Sequence, residues 1–275
     1  MQLSPKTYKP SRSSRDTAPA PSPSSSRPVL ANYASHHLTI GCGVAIFHVA
    51  SARVVLCFHS RDRYWFLPKG RRDANEESGP AAEREGYEES GYRNRLLPLP
   101  IRHRQPRAHA PAAAHSPFST EPVWTQLIPQ SATTQYILFW YIAETLPPNL
   151  QPPTTGNIPA SSTTPSTDTS PPPQSPTASS TASTPQKPPY TPPSTYPPTL
   201  SLRTRIAQEP PGYEPPKEEG TGVDAEEALY LSSLVPVAEA REKLRGSIMA
   251  DVVAKGWEAV LARLGMEEAE AEAGG

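Results

Sequence analysis

An α/β (α+β) domain interrupted by a long proline-rich insertion is the fold class this 275-residue sequence predicts. Apolar, β-branched runs come first and amphipathic helical patterns follow single runs, the order that layers helices on a sheet. Proline is concentrated: of 37 prolines, 21 fall between residues 147 and 220, with Ser and Thr filling most of the rest. Only 36% of residues are hydrophobic, too few to give the whole chain a packed core.

Residues 1–35 are rich in Ser and Pro and carry Lys6, Lys9, Arg12, Arg15 and Arg27 against a single acid, Asp16. They read as a disordered arm, with a targeting role left open. Order is expected from His37. "LTIGCGVAIFHV" and "ARVVLCFHS" are strand-like and separated by a short Ala/Ser turn, so they predict a hairpin. "YWFLP" is a third extended piece, because Pro68 holds Leu67 out of the helical region. "TTQYILFWYIAETL" has the aromatic and β-branched content of a buried strand.

Residues 147–220 are expected to be a disordered insertion, partly polyproline II and open to an SH3- or WW-type partner. Pattern returns as a strand at "DAEEALYLSSLV", followed by helices over "PVAEAREKLRG" and "SIMADVVAKGWEAVLARLG". In the second helix Met249, Val252, Val253, Trp257, Val260, Leu261 and Leu264 form a core-facing stripe. The tail 267–275 is acidic and expected to fray. The ordered domain is thus predicted as 36–146 plus 221–266. A net charge of -1 gives no whole-chain pointer to nucleic acid or membranes, and no apolar run approaches the ~20 residues of a membrane span. Cys42 and Cys57 sit in apolar runs and read as buried thiols of a cytoplasmic or nuclear protein.

The segment "PKGRRDANEESGPAAEREGYEESGY", Pro68 to Tyr92, stands apart by its glutamates. Pro80 suits a first helical turn, Ser78 or Gly79 a cap, and Gly91 an exit. Between them Glu85, Glu88 and Glu89 share one face, with no lysine on that face to relieve their repulsion. Clustered carboxylates are the hard ligands that Mg²⁺ or Mn²⁺ takes, with water and phosphate completing the shell. Gly70 lets backbone approach a metal or a phosphate.

The spacing of Gly70, Glu76, Arg84-Glu85, Glu88-Glu89, Gly91 and Tyr92 resembles the signature of the Nudix hydrolase family. Gly86 departs from it, where an aliphatic residue is usual. The exchange is expected to loosen the helix by about 1 kcal/mol and remove a small core contact. "WFLPKG" resembles the family's lead-in and "PVAEA" its later turn into helices. The resemblance covers roughly 36–146 and 221–266. It implies an α/β/α sandwich with a mixed sheet and hydrolysis of a nucleoside-diphosphate-linked or related pyrophosphate with Mg²⁺ or Mn²⁺. It further implies Glu85, Glu88 and Glu89 as metal ligands, with the Gly70 carbonyl as a further one. Arg84 would hold a glutamate in place and Glu76 would orient the loop. The base stays open between a glutamate of this segment and Glu226 or Glu227.

"PKGR" resembles the branch acting on diadenosine polyphosphates and diphosphoinositol polyphosphates. Lys69, Arg71, Arg72, Arg93, Arg95, Arg102, Arg104 and Arg107, with His103 and His109, make a basic surplus suited to such substrates. Lys69, Arg71, Arg72, Arg102 and Arg104 are the expected substrate contacts. His59, Arg61 and Gln135 have weaker claims on the pocket, and Cys57 reads as core. An mRNA-cap hydrolase, or a binding scaffold presenting the proline-rich segment, are the alternatives.

Overall fold

The computed structural model describes residues 25–106, 116–151 and 190–274. The chain divides into two units, Met1–Asn32 and Tyr33–Gly275. Of the first, residues 25–32 are exposed and take no regular secondary structure; of the expected arm, 1–24 lie outside the described residues, and Tyr33 and Ser35 belong to the second unit, where Tyr33 donates to Gln135 and Ser35 opens a short 3-10 turn. The second carries the sheet and helices.

Two long apolar strands, β1 (Leu38–His48) and β7 (Gln135–Thr145), form the centre. They run parallel from Leu38↔Gln135 to Phe47↔Glu144, buried on both faces as parallel pairs usually are. β1 turns at Ala52, which takes φ 53°, into β2 (Arg53–His59), so the expected hairpin forms, paired only at Phe47↔Val54 and His48↔Arg53. Beyond it β2 pairs with β3 (Tyr64–Phe66) and with the late strand β8 (Tyr230–Pro236). Three short or edge strands carried too little sequence pattern to be expected: β4 (Lys69–Arg71) on β1, and β5 (Asn94–Leu96) and β6 (Trp124–Pro129) on β7.

Strand alternation splits the core into two layers. Cys42, Val44, Ile46, Val55, Tyr141 and Ala143 face helix α1 (Ser78–Ser90). Ala45, Phe47, Val54, Leu56, Trp140 and Ile142 face the other way, onto α3 (Val237–Lys243) and α4 (Ile248–Ala273). The result is a mixed sheet between helical layers, the predicted class. Of the α4 stripe, Met249, Val252, Val253, Trp257, Val260 and Leu264 pack on the core, while Leu261 is exposed.

The insertion and the tail differ from expectation. Residues 190–220 are anchored to the domain at a few buried side chains, and of the insertion 152–189 lie outside the described residues. Tyr196 and Leu202 enter the α4-side core, and α2 (Leu202–Ala207) is capped by Ser201. Arg205 sends a buried guanidinium to Glu144, 2.9 Å away, which also takes Arg95 at 2.7 Å. Arg205 pairs in turn with Glu209, and Glu209 with His48 at 3.1 Å. Composition concealed this limb because its anchors are few and widely spaced. The tail does not fray at 267: α4 continues to Ala273, and the Glu267 carboxylate accepts the N–H groups of Leu202 and Arg203. No helix among the described residues is long and apolar enough to cross a membrane.

Candidate active site

Helix α1 lies across β1 through Ala81 and Ala82. Gly86 does not loosen it. A Cβ there would stand 2.8 Å from both Val44 Cγ1 and Asn94 Nδ2, so the missing side chain is what lets the helix sit close to the sheet. The N-cap is Glu77, one residue before the expected caps, and no side chain closes it. The exit is at Gly91, φ 75°, whose N–H reaches Tyr87 O at 2.7 Å. The last carbonyls all receive donors from other parts of the chain. Thr221 Oγ1 donates to Glu88 O at 2.8 Å, Cys57 Sγ to Glu89 O at 3.6 Å, Ser232 Oγ to Ser90 O, and Glu218 N to Gly91 O at 2.9 Å.

Glu85, Glu88 and Glu89 are all buried at this end of the helix. Arg84 Nη1 bridges Glu85 and Glu88 at 2.8 Å each, and its other nitrogens hold Glu76 and the Arg71 carbonyl. Glu76 also accepts Asp73 N–H at 3.0 Å, closing the loop before the helix. Glu89 Oε2 accepts Lys69 N–H at 2.7 Å. Gly70 makes room for Glu85: a Cβ would fall 1.9 Å from Glu85 Oε2. Burial pushes the Glu85 carboxyl up to about 7 and that of Glu89 up to about 8, against the opposing pull of Arg84 on the first and Lys69 on the second. These carboxylates also sit at the negative end of a helix dipole. Desolvated, mutually repelling and all-oxygen, the donor set fits a hard divalent cation.

Around this centre the structure sorts the other expected residues. The Gly70 carbonyl accepts the half-buried Tyr136 hydroxyl at 3.0 Å. Arg71 and Arg72 line a cleft of about 550 Å³ with Ser35, Thr39 and Asp73, and Arg72 Nε is buried without a hydrogen-bond partner. Lys69 Nζ lies over the Phe66 ring. Arg102 and Arg104 are exposed, and Arg102 lines a groove with Lys255 and Glu258 of α4, on the other side of the sheet from α1. Arg95 is consumed by Glu144, and Arg93 by Glu218 at 2.6 Å. The basic surplus is therefore not one surface, because sequence proximity ignored the sheet between its members; Arg107 and His109 lie outside the described residues.

His59 is fully buried and bonded to Glu226 at 2.8 Å, its Nδ1 accepting Asp62 N–H. Arg61 holds the same Glu226 carboxylate at 2.9 Å and lowers its pKa together with His59, leaving Glu226 a poor base. His59, Asp62 and Glu226 could cluster round an ion, but Arg61 already neutralises both acids. Glu227 accepts Val223 N–H, and its charge is the smallest of the influences that raise the pKa values of Glu85 and Glu89, after burial. Gln135 bonds Tyr33 and its own strand.

Sequence reading missed Tyr136, Thr221, Glu218 and a row of rings. Tyr64, His59 and Tyr230 stand opposite one another across β3, β2 and β8, with centroids 5.2 and 5.4 Å apart. Tyr136 did leave a signal: Gly41, inside a strand, marks a close approach, and a Cβ there would fall 1.7 Å from its hydroxyl.

No protein-family model and no curated protein matches the chain. Solved structures similar to it include a MutT Nudix hydrolase from Burkholderia pseudomallei, 21% identical over 39% of this chain and 67% of that one, TM-score 0.26. A Nudix hydrolase from Nitrosomonas europaea is 15% identical, covering 39% of this chain and 59% of that one, TM-score 0.27. An Ap4A hydrolase from C. elegans is 16% identical over 41% and 68%, TM-score 0.25. The chain thus spans less than two thirds of the Nitrosomonas protein, and likeness at this level leaves the functional weight on the site itself.

Proposed function

We propose that the chain is a Nudix-type pyrophosphohydrolase that uses Mg²⁺ or Mn²⁺. The observation that carries this reading is the set of buried carboxylates Glu85, Glu88 and Glu89 organised by one arginine, two of them with pKa values raised toward neutrality. A bound divalent cation supplies charge neutralisation at the phosphoryl oxygens. Glu85, Glu88 and Glu89 would hold it, and the Gly70 carbonyl would be a further ligand. Arg84 keeps two of the carboxylates in register, and Glu76 fixes Arg84. Glu226, its pKa lowered by His59 and Arg61, is a poor base, which leaves a glutamate of the helix or Glu227 to accept the proton of the attacking water.

The substrate class we favour is a polyphosphate. Arg71 and Arg72, which line a cleft, directly follow Gly70 in the chain, and arginine forks suit phosphate oxygens. Between the two polyphosphate branches, the rings favour diadenosine polyphosphates over diphosphoinositol polyphosphates. His59 lies two residues along β2 from Cys57, whose thiol donates to the Glu89 main-chain carbonyl, so the row stands on the strand that meets the end of the glutamate helix. Tyr64, 48% exposed, offers a stacking face for a base.

Glu88→Gln keeps the shape and removes a ligand charge. Turnover of a diadenosine polyphosphate should fall roughly a thousandfold, about 4 kcal/mol. Near-normal turnover would remove the helix from the mechanism. Tyr64→Ala should raise KM for the dinucleotide and leave inorganic tripolyphosphate unaffected; a preference for diphosphoinositol substrates would reverse the branch assignment.

A further inference from the structure

We infer that the limb 190–221, which returns from the proline-rich insertion, is part of the active-site machinery, with Thr221 and Glu218 as positioning residues for the glutamate helix. The inference rests on the proposed metal site. Thr221 Oγ1 donates to Glu88 O, the main-chain carbonyl of a ligand residue. Glu218 holds the helix end at two further points and the chain just beyond it at a third. Its carboxylate takes Tyr87 Oη at 2.6 Å and Arg93 Nε at 2.6 Å, and its N–H caps Gly91 O. A Cβ at Gly91 would fall 2.1 Å from Glu218 O, so that glycine serves the docking of the limb as well as the helix exit. Tyr92 and Lys217 pair as an isolated bridge beside these contacts. The hold is local to the carboxylate-bearing end of the helix. The other anchors of the limb, Tyr196 and Leu202, lie in the core on the opposite side of the sheet.

A helix end carrying three buried carboxylates is under electrostatic strain. Donors on its final carbonyls offset the negative dipole and fix the rotation of the last turn. Removing one should loosen the placement of Glu88 without unfolding the domain.

Mn²⁺ titration of the full chain, followed by electron paramagnetic resonance, tests this. Thr221→Val should weaken Mn²⁺ binding about tenfold, the lower range for residues that orient ligands, with little change in Tm, and Thr221→Ser should restore it. Leu202→Ala, in the same limb but the distant core, should lower Tm and leave Mn²⁺ affinity unchanged. Should Thr221→Val fail to fold, Glu218→Gln takes its place. If wild type binds Mn²⁺ and Glu88→Gln does not, but Thr221→Val and Glu218→Gln bind normally, the inference falls and the metal site stands. If wild type binds no Mn²⁺, both fall. Equal loss of affinity in Leu202→Ala would reduce the limb to a stabilising element and overturn the positioning role.

Discussion

A carboxyl that folding pushes upward destabilises the protein wherever it must ionise. Glu85 and Glu89 stand at about 7 and about 8 in the folded chain. Below the unfolded value near 4.5 both states are protonated, and the groups contribute no penalty. As pH rises through 4.5 the unfolded chain loses these protons first, so stability falls until the folded groups ionise near 7 to 8. Without divalent cation, Tm should therefore decline between about pH 5 and pH 8 on account of these two groups. Glu89→Gln should flatten that slope and raise Tm at about pH 8; an unchanged slope would show that Glu89 is not strained. Mn²⁺ affinity should rise over the same interval, since ligation needs the deprotonated form. A second outcome follows from Gly70: Gly70→Ala drives a methyl into Glu85 and should abolish turnover with the fold retained, seen as lost activity beside unchanged far-UV circular dichroism. The residue types and spacings of the helix were legible in the sequence because the glutamates, Arg84 and the flanking glycines recur at fixed offsets. Arg102 was misplaced because charge alone says nothing of which face of a sheet a loop follows.

Helix α1 shows how one glycine can mean opposite things. Helix propensity predicts that replacing Gly86 adds about 1 kcal/mol of stability. The contacts predict the reverse, since Val44 and Asn94 already fill the space. Gly86→Val should lower stability by roughly 1–3 kcal/mol, the usual range for overpacking. A methyl group on Gly265 in α4 would meet nothing within 4 Å, so Gly265→Ala should stabilise by about 1 kcal/mol. Urea unfolding of the two variants side by side checks the contrast. The long strands β1 and β7 were legible from their β-branched and aromatic content, α1 from its Pro and Gly ends and glutamate spacing, and α4 from its apolar periodicity. The three-residue strands β4 and β5 were not, because they owe their extended form to the strands they pair with.

Over the whole molecule, the packed limb changes which segments can be removed. Exchanging 190–218 for a Gly/Ser linker of equal length deletes Tyr196, Leu202 and Arg205 and leaves Glu144 buried at 0% exposure with one of its two arginines gone. Breaking a buried ionic set costs about 3–5 kcal/mol, and the lost Leu202 side chain adds about 2–5 kcal/mol. The exchange should abolish cooperative thermal unfolding, and retained native Tm would show the limb to be decoration. Proline content concealed it: a segment is judged by its average composition, but it is held by a few anchors.

The parallel register of β1 with β7 sets a timetable for the chain's self-assembly. Leu38 and Gln135 are roughly a hundred residues apart, and Arg53 meets Pro236 from nearly twice that separation, so the central sheet is made from distant partners. A nascent chain displaying β1 and β2 waits for β7 and β8 to be synthesised, with apolar strand faces uncovered meanwhile. Refolding should thus proceed on the millisecond-to-second scale of nonlocal topologies. Lengthening the segment before β8 should slow it only modestly, because closure entropy grows with the logarithm of loop length.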